Sequence, residues 1–209
     1  MSASKSGGRA AVAARRGSRA RVLRIIGGTW RGRKLRFPPS AEIRPTPDRV
    51  RETLFNWLGA RVRGARALDL FAGSGALGLE ALSRGASHVT FVERDAAAVR
   101  ALRARLAEWQ AGDAVVVHAD ALRYLTGEAC PFELVFLDPP FGTDLLGETA
   151  RLLDERQWLR DGALIYVECG ARAGPPPLPG GWQELKAKRA GEVGYHLFAH
   201  AGALGSHNP

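Results

Sequence analysis

Apolar residues in this chain fall into short continuous runs that alternate with segments of helical period. The runs at 67–71, 88–92, 114–118, 132–137 and 163–167 are rich in Val, Leu and Phe and bounded by Gly, Asp or Pro, which predicts strands. Between them, 77–83, 96–109 and 145–155 carry helical spacing. Such alternation is the signature of βαβ units, so the fold class is α/β with a mostly parallel sheet and helices on both faces. Residues 182–188 and 193–199, around Gly191, predict a closing antiparallel strand pair, reached through a Pro-rich surface connection at 174–181. Towards the N-terminus, 22–26 and 34–37 predict a hairpin around Gly27-Gly28-Thr29-Trp30-Arg31-Gly32, ended by Pro38 and Pro39. Thr46 then offers an N-cap and Pro47 a first helical residue, with Val50, Leu54, Trp57 and Leu58 on one face. The division expected is a disordered tail at 1–21, a hairpin appendage at 22–44, a main domain at 45–200 and a short tail at 201–209.

Composition narrows the classes. A chain of 209 residues, 45% hydrophobic, can bury one substantial core. No run approaches the length of a membrane span, and the N-terminus lacks the apolar centre of a secretory signal. A cytoplasmic protein is expected; Gly7-Gly8 and short apolar runs speak against an amphipathic transit segment. Cys130 and Cys169 form no CxxC pair and the five histidines lack ligand spacing, so no metal site is expected and both thiols read as buried or half-buried. The net charge of +9 is unevenly placed. Residues 1–51 hold 14 of the 30 Lys and Arg against Glu42 and Asp48, a surplus of +12, whereas the remaining 158 carry 16 bases and 19 acids, or −3. Trp30, Arg31, Arg33, Lys34 and Arg36 interleave cations with an aromatic, a mixture suited to a polyanion with bases to stack.

Two motifs carry chemistry. Asp138-Pro139-Pro140-Phe141 ends the run at 132–137. Asp138 and the Pro139 carbonyl offer acceptors with no competing donor, and Phe141 a stacking face, which together clamp a planar amine. The plainer alternative is a strand stop followed by a helix cap. Asp69-Leu70-Phe71-Ala72-Gly73-Ser74-Gly75-Ala76-Leu77-Gly78 places GxGxxG between a strand and a helix, the pattern of a nucleotide-cofactor loop. Asp69, Phe71, Gly73, Ser74, Gly75 and Gly78 are therefore candidate cofactor-binding residues. Glu93 ends the next strand, placed to take ribose hydroxyls, and Asp120 follows the one after, placed for an adenine amine. A solvated acid at Glu93 and a helix cap at Asp120 are the alternatives. Asp69, an acid four residues before the glycine loop, and Asp120 as the next strand-end acid turn the cofactor reading from NAD towards S-adenosylmethionine.

With Arg24-Ile25-Ile26-Gly27-Gly28-Thr29-Trp30-Arg31-Gly32-Arg33-Lys34-Leu35, Arg44-Pro45-Thr46, Asp48-Arg49-Val50-Arg51-Glu52, the Asp69 loop and the clamp assembled, residues 24–200 resemble the bacterial small-subunit (16S) ribosomal RNA guanine-N2 methyltransferases of the RsmD type. The resemblance implies a Rossmann-like methyltransferase fold whose seven-stranded sheet has an antiparallel last strand. It also implies S-adenosylmethionine as donor and a guanine of small-subunit ribosomal RNA as acceptor, in an assembled or partly assembled subunit, with the protein a monomer. Asp138, Pro139, Pro140 and Phe141 would then be catalytic. Arg44 and Thr46 join the candidate cofactor contacts, in a segment that closes over the site, and Arg49 joins the RNA contacts. Pro47 stands where the pattern has a small hydroxyl residue. Rivals are a DNA adenine-N6 methyltransferase sharing the clamp, an NAD-dependent oxidoreductase and a non-catalytic RNA-binding protein.

Overall fold

Side chains in the central strands alternate between two hydrophobic layers, as a period of two requires. The computed structural model describes residues 21–37 and 46–201; expectations for 1–20, Arg44 and 202–209, and for the side chain of Arg36, lie outside the described residues. Strands β1 (Arg21–Arg24) and β2 (Lys34–Phe37) pair antiparallel. Then come α1 (Asp48–Leu58), β3 (Arg66–Asp69), α2 (Ala76–Ser83), β4 (His88–Glu93), α3 (Ala96–Glu108), β5 (Ala114–His118) and α4 (Ala121–Leu125). The chain continues through β6 (Phe132–Leu137), α5 (Leu145–Glu155), β7 (Leu159–Gly170), β8 (Trp182–Ala190) and β9 (Val193–His200).

The main sheet has seven strands in the order β5-β4-β3-β6-β7-β9-β8, parallel from β5 to β7, with β9 antiparallel to both neighbours. Order reverses between β4 and β6 about β3, which opens a crevice at the C-terminal strand ends. Leu134, Phe136, Leu164 and Tyr166 face one layer with Leu54, Phe55 and Leu77; Val135, Leu137, Ile165 and Val167 face the other with Leu146, Ala150 and Leu153. Among the described residues no helix is long and apolar enough to cross a membrane.

Four local expectations change. Strand β3 stops at Asp69 rather than continuing to 71, because the chain turns into the glycine loop there. Strand β7 starts at Leu159, although Arg160-Asp161-Gly162 interrupts the apolar run, because Leu159 pairs with Phe132. Thr46 is not the cap of α1: Pro47 holds that position without a side-chain bond, and Thr46 donates instead to Glu168 Oε1 at 2.9 Å, 122 residues away. Cys130 is exposed, its sulfur accepting from Arg66 Nη2 at 3.2 Å, whereas Cys169 is buried.

The hairpin is docked on α2 by polar groups. Glu80, fully buried, accepts from the amides of Ile26 and Gly27 at 2.8 Å each, from Arg84 Nε at 2.8 Å and from Arg51 Nη1 at 3.5 Å. Arg51, also fully buried, donates to the Arg24 carbonyl at 2.8 Å and to Asp48 at 2.6 Å. Leu23, Ile25 and Leu35 bury their side chains beside α1 and α2 in one hydrophobic layer. Gly28 lies so close to α2, at φ 76°, that an added Cβ would stand 1.7 Å from the Ser83 carbonyl oxygen. Gly28→Ala is expected to cost about 2–4 kcal/mol in denaturant unfolding, combining positive-φ strain with overpacking. Gly32→Ala, at φ 84° with open space around it, is the control and loses about 1 kcal/mol.

Candidate active site

The crevice is a cleft of about 670 Å³ whose walls come from the ends of β3, β4, β5, β6 and β7. Its floor is built around a helix that cannot cap itself. The N-cap of α2 is Gly75, which has no side chain, so the buried Asp69 takes that role from the preceding strand, accepting from the Gly78 amide at 3.0 Å. Gly78 must be small because a Cβ there would meet the Phe91 ring at 2.2 Å; this is the close helix-to-strand packing that the third glycine permits. Glu93 is not a solvated acid: its Oε2 accepts from the Gly73 amide and its Oε1 from the Asp95 amide, each at 2.7 Å. Asp120 does cap α4, its Oδ1 accepting from Leu122 and Arg123 amides at 3.0 and 3.1 Å, while also lining the cleft. Ser74, Phe71 and Thr46 line it too.

Burial pushes the Asp69 carboxyl up from 3.8 to about 7; the Gly78 bond opposes this and the Glu93 charge adds to it. Asp69 therefore binds its proton more tightly in the folded than in the unfolded chain. Its contribution is most favourable below 3.8 and is lost as pH rises towards about 7. In urea unfolding at fixed ionic strength, the wild type is expected to lose a few kcal/mol relative to Asp69→Asn across that window, and to run parallel to it above. Parallel curves throughout would show that folding leaves the proton affinity of Asp69 unchanged.

The clamp closes the other end. Pro139 is buried, Phe141 is 43% exposed, and the Pro140 carbonyl accepts from Thr143 Oγ1 at 2.8 Å, which turns the chain after the strand. Leu137 pairs with Val167 across β6 and β7, so Asp138 and Glu168 are the next residues on adjacent parallel strands. Glu168 is 3% exposed; its Oε1 accepts from the hydroxyls of Thr46 and Tyr166, both at 2.9 Å. Burial, then the Glu168 charge, hold the Tyr166 phenol well above its ordinary value, so it remains a donor. A second cleft of about 880 Å³ lies beyond the clamp against the Pro-rich 174–180 segment. The two clefts share four residues: Pro139, Pro140, Phe141 and Glu168.

On the hairpin, Arg31, Arg33 and Lys34 are exposed, as is Arg49 at the start of α1. Trp30 is half-buried, its ring 5.1 Å from that of Trp109, over which the Arg33 guanidinium also lies at 5.4 Å.

The protein family described as Conserved hypothetical protein 95 matches residues 23–199. The Escherichia coli protein named ribosomal RNA small subunit methyltransferase D is 52% identical over 176 residues, covering 84% of this chain and 89% of that one. This chain belongs to that family. A solved putative methyltransferase from Escherichia coli superposes with a TM-score of 0.80 at 48% identity, covering 86% of this chain and 98% of that one. The 16S rRNA N2 methyltransferase RsmC of Thermus thermophilus, solved with AdoMet and guanosine, gives 0.61 at 29% identity, covering 88% of this chain and half of that one.

For this member of the methyltransferase D family, the structure brings Asp69, Phe71, Gly73, Ser74, Glu93, Asp120, Thr46 and the clamp to one cleft, whereas Gly75 and Gly78 are not among its lining residues and serve the turn and the packing of α2. The hairpin cations Arg31, Arg33 and Lys34 are not among its lining residues. Sequence reasoning missed two residues. Glu168 directly follows the apolar run at 163–167, as Glu93 follows 88–92, so the rule that singled out Glu93 also finds it, although β7 itself continues to Gly170. Glu80 carried no local signal at all.

Proposed function

We propose that this chain transfers a methyl group from S-adenosylmethionine to the exocyclic N2 of a guanine in small-subunit ribosomal RNA. The observation that carries the reading is the meeting, in one cleft, of an acid-lined glycine loop and the Asp138-Pro139-Pro140-Phe141 clamp. Glu93, Asp95, Asp120, Asp138 and Glu168 line the cleft beside Asp69, and Arg94 is its one basic residue among those described, a balance that suits a cationic ligand even without a charge on Asp69. A dinucleotide pyrophosphate would face those carboxylates, and the Gly78 amide at the helix start is already taken by Asp69.

S-adenosylmethionine supplies an electrophilic methyl on a sulfonium. Glu93 fixes the Gly73 turn and Asp69 the start of α2, so the loop is shaped before the cofactor arrives; Asp120 and Glu93 face the nucleoside part. At the clamp, Asp138 and the Pro139 carbonyl accept from the base amine, drawing it towards tetrahedral geometry and localising its lone pair. Phe141 stacks on a base turned out of its neighbours. Arg31, Arg33, Lys34 and Arg49 meet RNA phosphates, and Trp30 holds the hairpin on Trp109. On this reading the protein works in the cytoplasm as a monomer, on RNA of an assembled or partly assembled small subunit; the names of its curated relatives support the ribosomal RNA substrate alone.

The test is transfer of labelled methyl from S-adenosylmethionine to small subunits from cells lacking the activity, beside naked ribosomal RNA and duplex DNA. The expected product is N2-methylguanosine; N6-methyladenine in DNA would overturn the reading. Neutralising Arg31, Arg33 and Lys34 together is expected to lower the slope of log K against log salt for RNA binding by about 2–3. An unchanged slope would remove the hairpin from the RNA contact.

A further inference from the structure

We infer that Glu168 reads the acceptor base, accepting the N1–H of guanine while Asp138 takes the N2 amine. This deepens the function proposed above and rests on it. The clamp by itself grips any planar amine, since Asp138, the Pro139 carbonyl and Phe141 would hold an adenine N6 as well as a guanine N2. The atom beside the amine distinguishes the bases: guanine presents a donor at N1, adenine a lone pair.

The geometry puts an acceptor at that place. Leu137 pairs with Val167, so Asp138 and Glu168 succeed them on neighbouring strands and their side chains leave the same face of the sheet. Adjacent strands are about 4.8 Å apart, a spacing at which two carboxylates can address neighbouring atoms on one base edge. Glu168 is also the residue outside the clamp that both clefts share with Pro139, Pro140 and Phe141, so a base gripped at this seam meets it.

The carboxylate is held ready. It is 3% exposed, and hydroxyls of Thr46 and Tyr166 donate to Oε1 at 2.9 Å each, fixing its rotamer from two elements. Facing adenine N1 or any ring nitrogen with a lone pair, the same group meets repulsion in a dry site. A site built on hydrogen bonds to a donor rejects an analogue lacking it far more strongly than an apolar pocket rejects a missing methylene.

The experiment compares small-subunit RNA carrying guanine with RNA carrying 2-aminopurine at the one nucleotide that the wild type labels. 2-Aminopurine keeps the N2 amine but has a lone pair at N1 and lacks O6, so the assignment to N1 rests on how Glu168→Gln changes the ratio. The wild type is expected to prefer guanine in kcat/KM by about 10²-fold or more. Glu168→Gln keeps an oxygen for Thr46 and Tyr166 and can turn an N–H towards the N1 lone pair. Its preference is expected to fall below about tenfold, with the rate on 2-aminopurine rising in absolute terms. A structural defect would lower both rates and leave the ratio unchanged, which would overturn the assignment. Should the variant fail to fold, the wild type decides with 6-thioguanine as a third substrate, which keeps N1–H and replaces O6: a guanine preference over 2-aminopurine above about 10² with 6-thioguanine accepted within about tenfold upholds the assignment, and rejection of both analogues, or a ratio below about threefold for 2-aminopurine, overturns it. If the wild type puts no label on guanine N2 in any substrate, the proposed function fails instead, a result distinct from an unchanged ratio.

Discussion

Replacing Asp138 by alanine is expected to lower the rate of methyl transfer by about 10³-fold, the scale of losing one preorganised polar group at a reacting centre. Affinity for S-adenosylmethionine should change by less than about threefold. The two effects separate because the groups that shape the cofactor loop stand on other strands. Asp69 ends β3 and bonds the Gly78 amide; Glu93 ends β4 and bonds the Gly73 amide; Asp138 follows β6. Alanine leaves the Pro139 carbonyl in place, so some polarisation of the amine survives and the loss stops short of complete. Asp138→Asn keeps an oxygen acceptor and is expected to retain about a tenth of the wild-type rate. Single-turnover transfer alongside calorimetric titration of the cofactor makes the measurement. Equal losses in rate and affinity would move Asp138 from the base to the cofactor.

Much of this framework was legible in the chain because parallel strands covered on both faces are continuous apolar runs. Strand β6 and helix α5 span the run and the period that predict them. The glycine loop was legible for a related reason: each position serves a local steric need, as the 2.2 Å approach of a Gly78 Cβ to Phe91 shows. What stayed hidden is what depends on a distant partner. Thr46 followed by Pro47 has the form of a helix start, yet its hydroxyl bonds Glu168, a buried carboxylate that requires donors wherever the fold supplies them. Asp120 kept both of its readings, since a strand-end acid can cap the next helix with one oxygen and still line a cleft. Glu80 sits in a helix whose other residues are almost all buried, and no period separates a solvated acid from one that bonds amides 53 and 54 residues away.

Glu80→Ala is expected to be the most damaging substitution outside the cleft, costing about 3–5 kcal/mol and lowering Tm by about 10 °C. Four donors converge on this carboxylate: the Ile26 and Gly27 amides, Arg84 Nε and Arg51 Nη1. Removing it strands Arg51, whose side chain has no exposure and whose Nε has no partner among the described residues, so no water reaches the guanidinium to replace the lost charge. Two backbone amides at the hairpin's root lose their acceptor as well. Arg151–Glu155 supplies the contrast: its pair is shorter, at 2.5 Å, yet both side chains are 54% exposed, and Glu155→Ala should shift stability by less than about 0.5 kcal/mol. Burial rather than length decides which ion pair matters. Because Ile26 and Gly27 lead directly into Trp30 and Arg31, undocking the hairpin should weaken RNA binding at temperatures where the sheet is intact and still binds cofactor. Thermal unfolding of the two variants, with RNA and cofactor titrations well below Tm, tests both halves. Equal Tm values for Glu80→Ala and Glu155→Ala would show that the docking of the hairpin does not depend on Glu80.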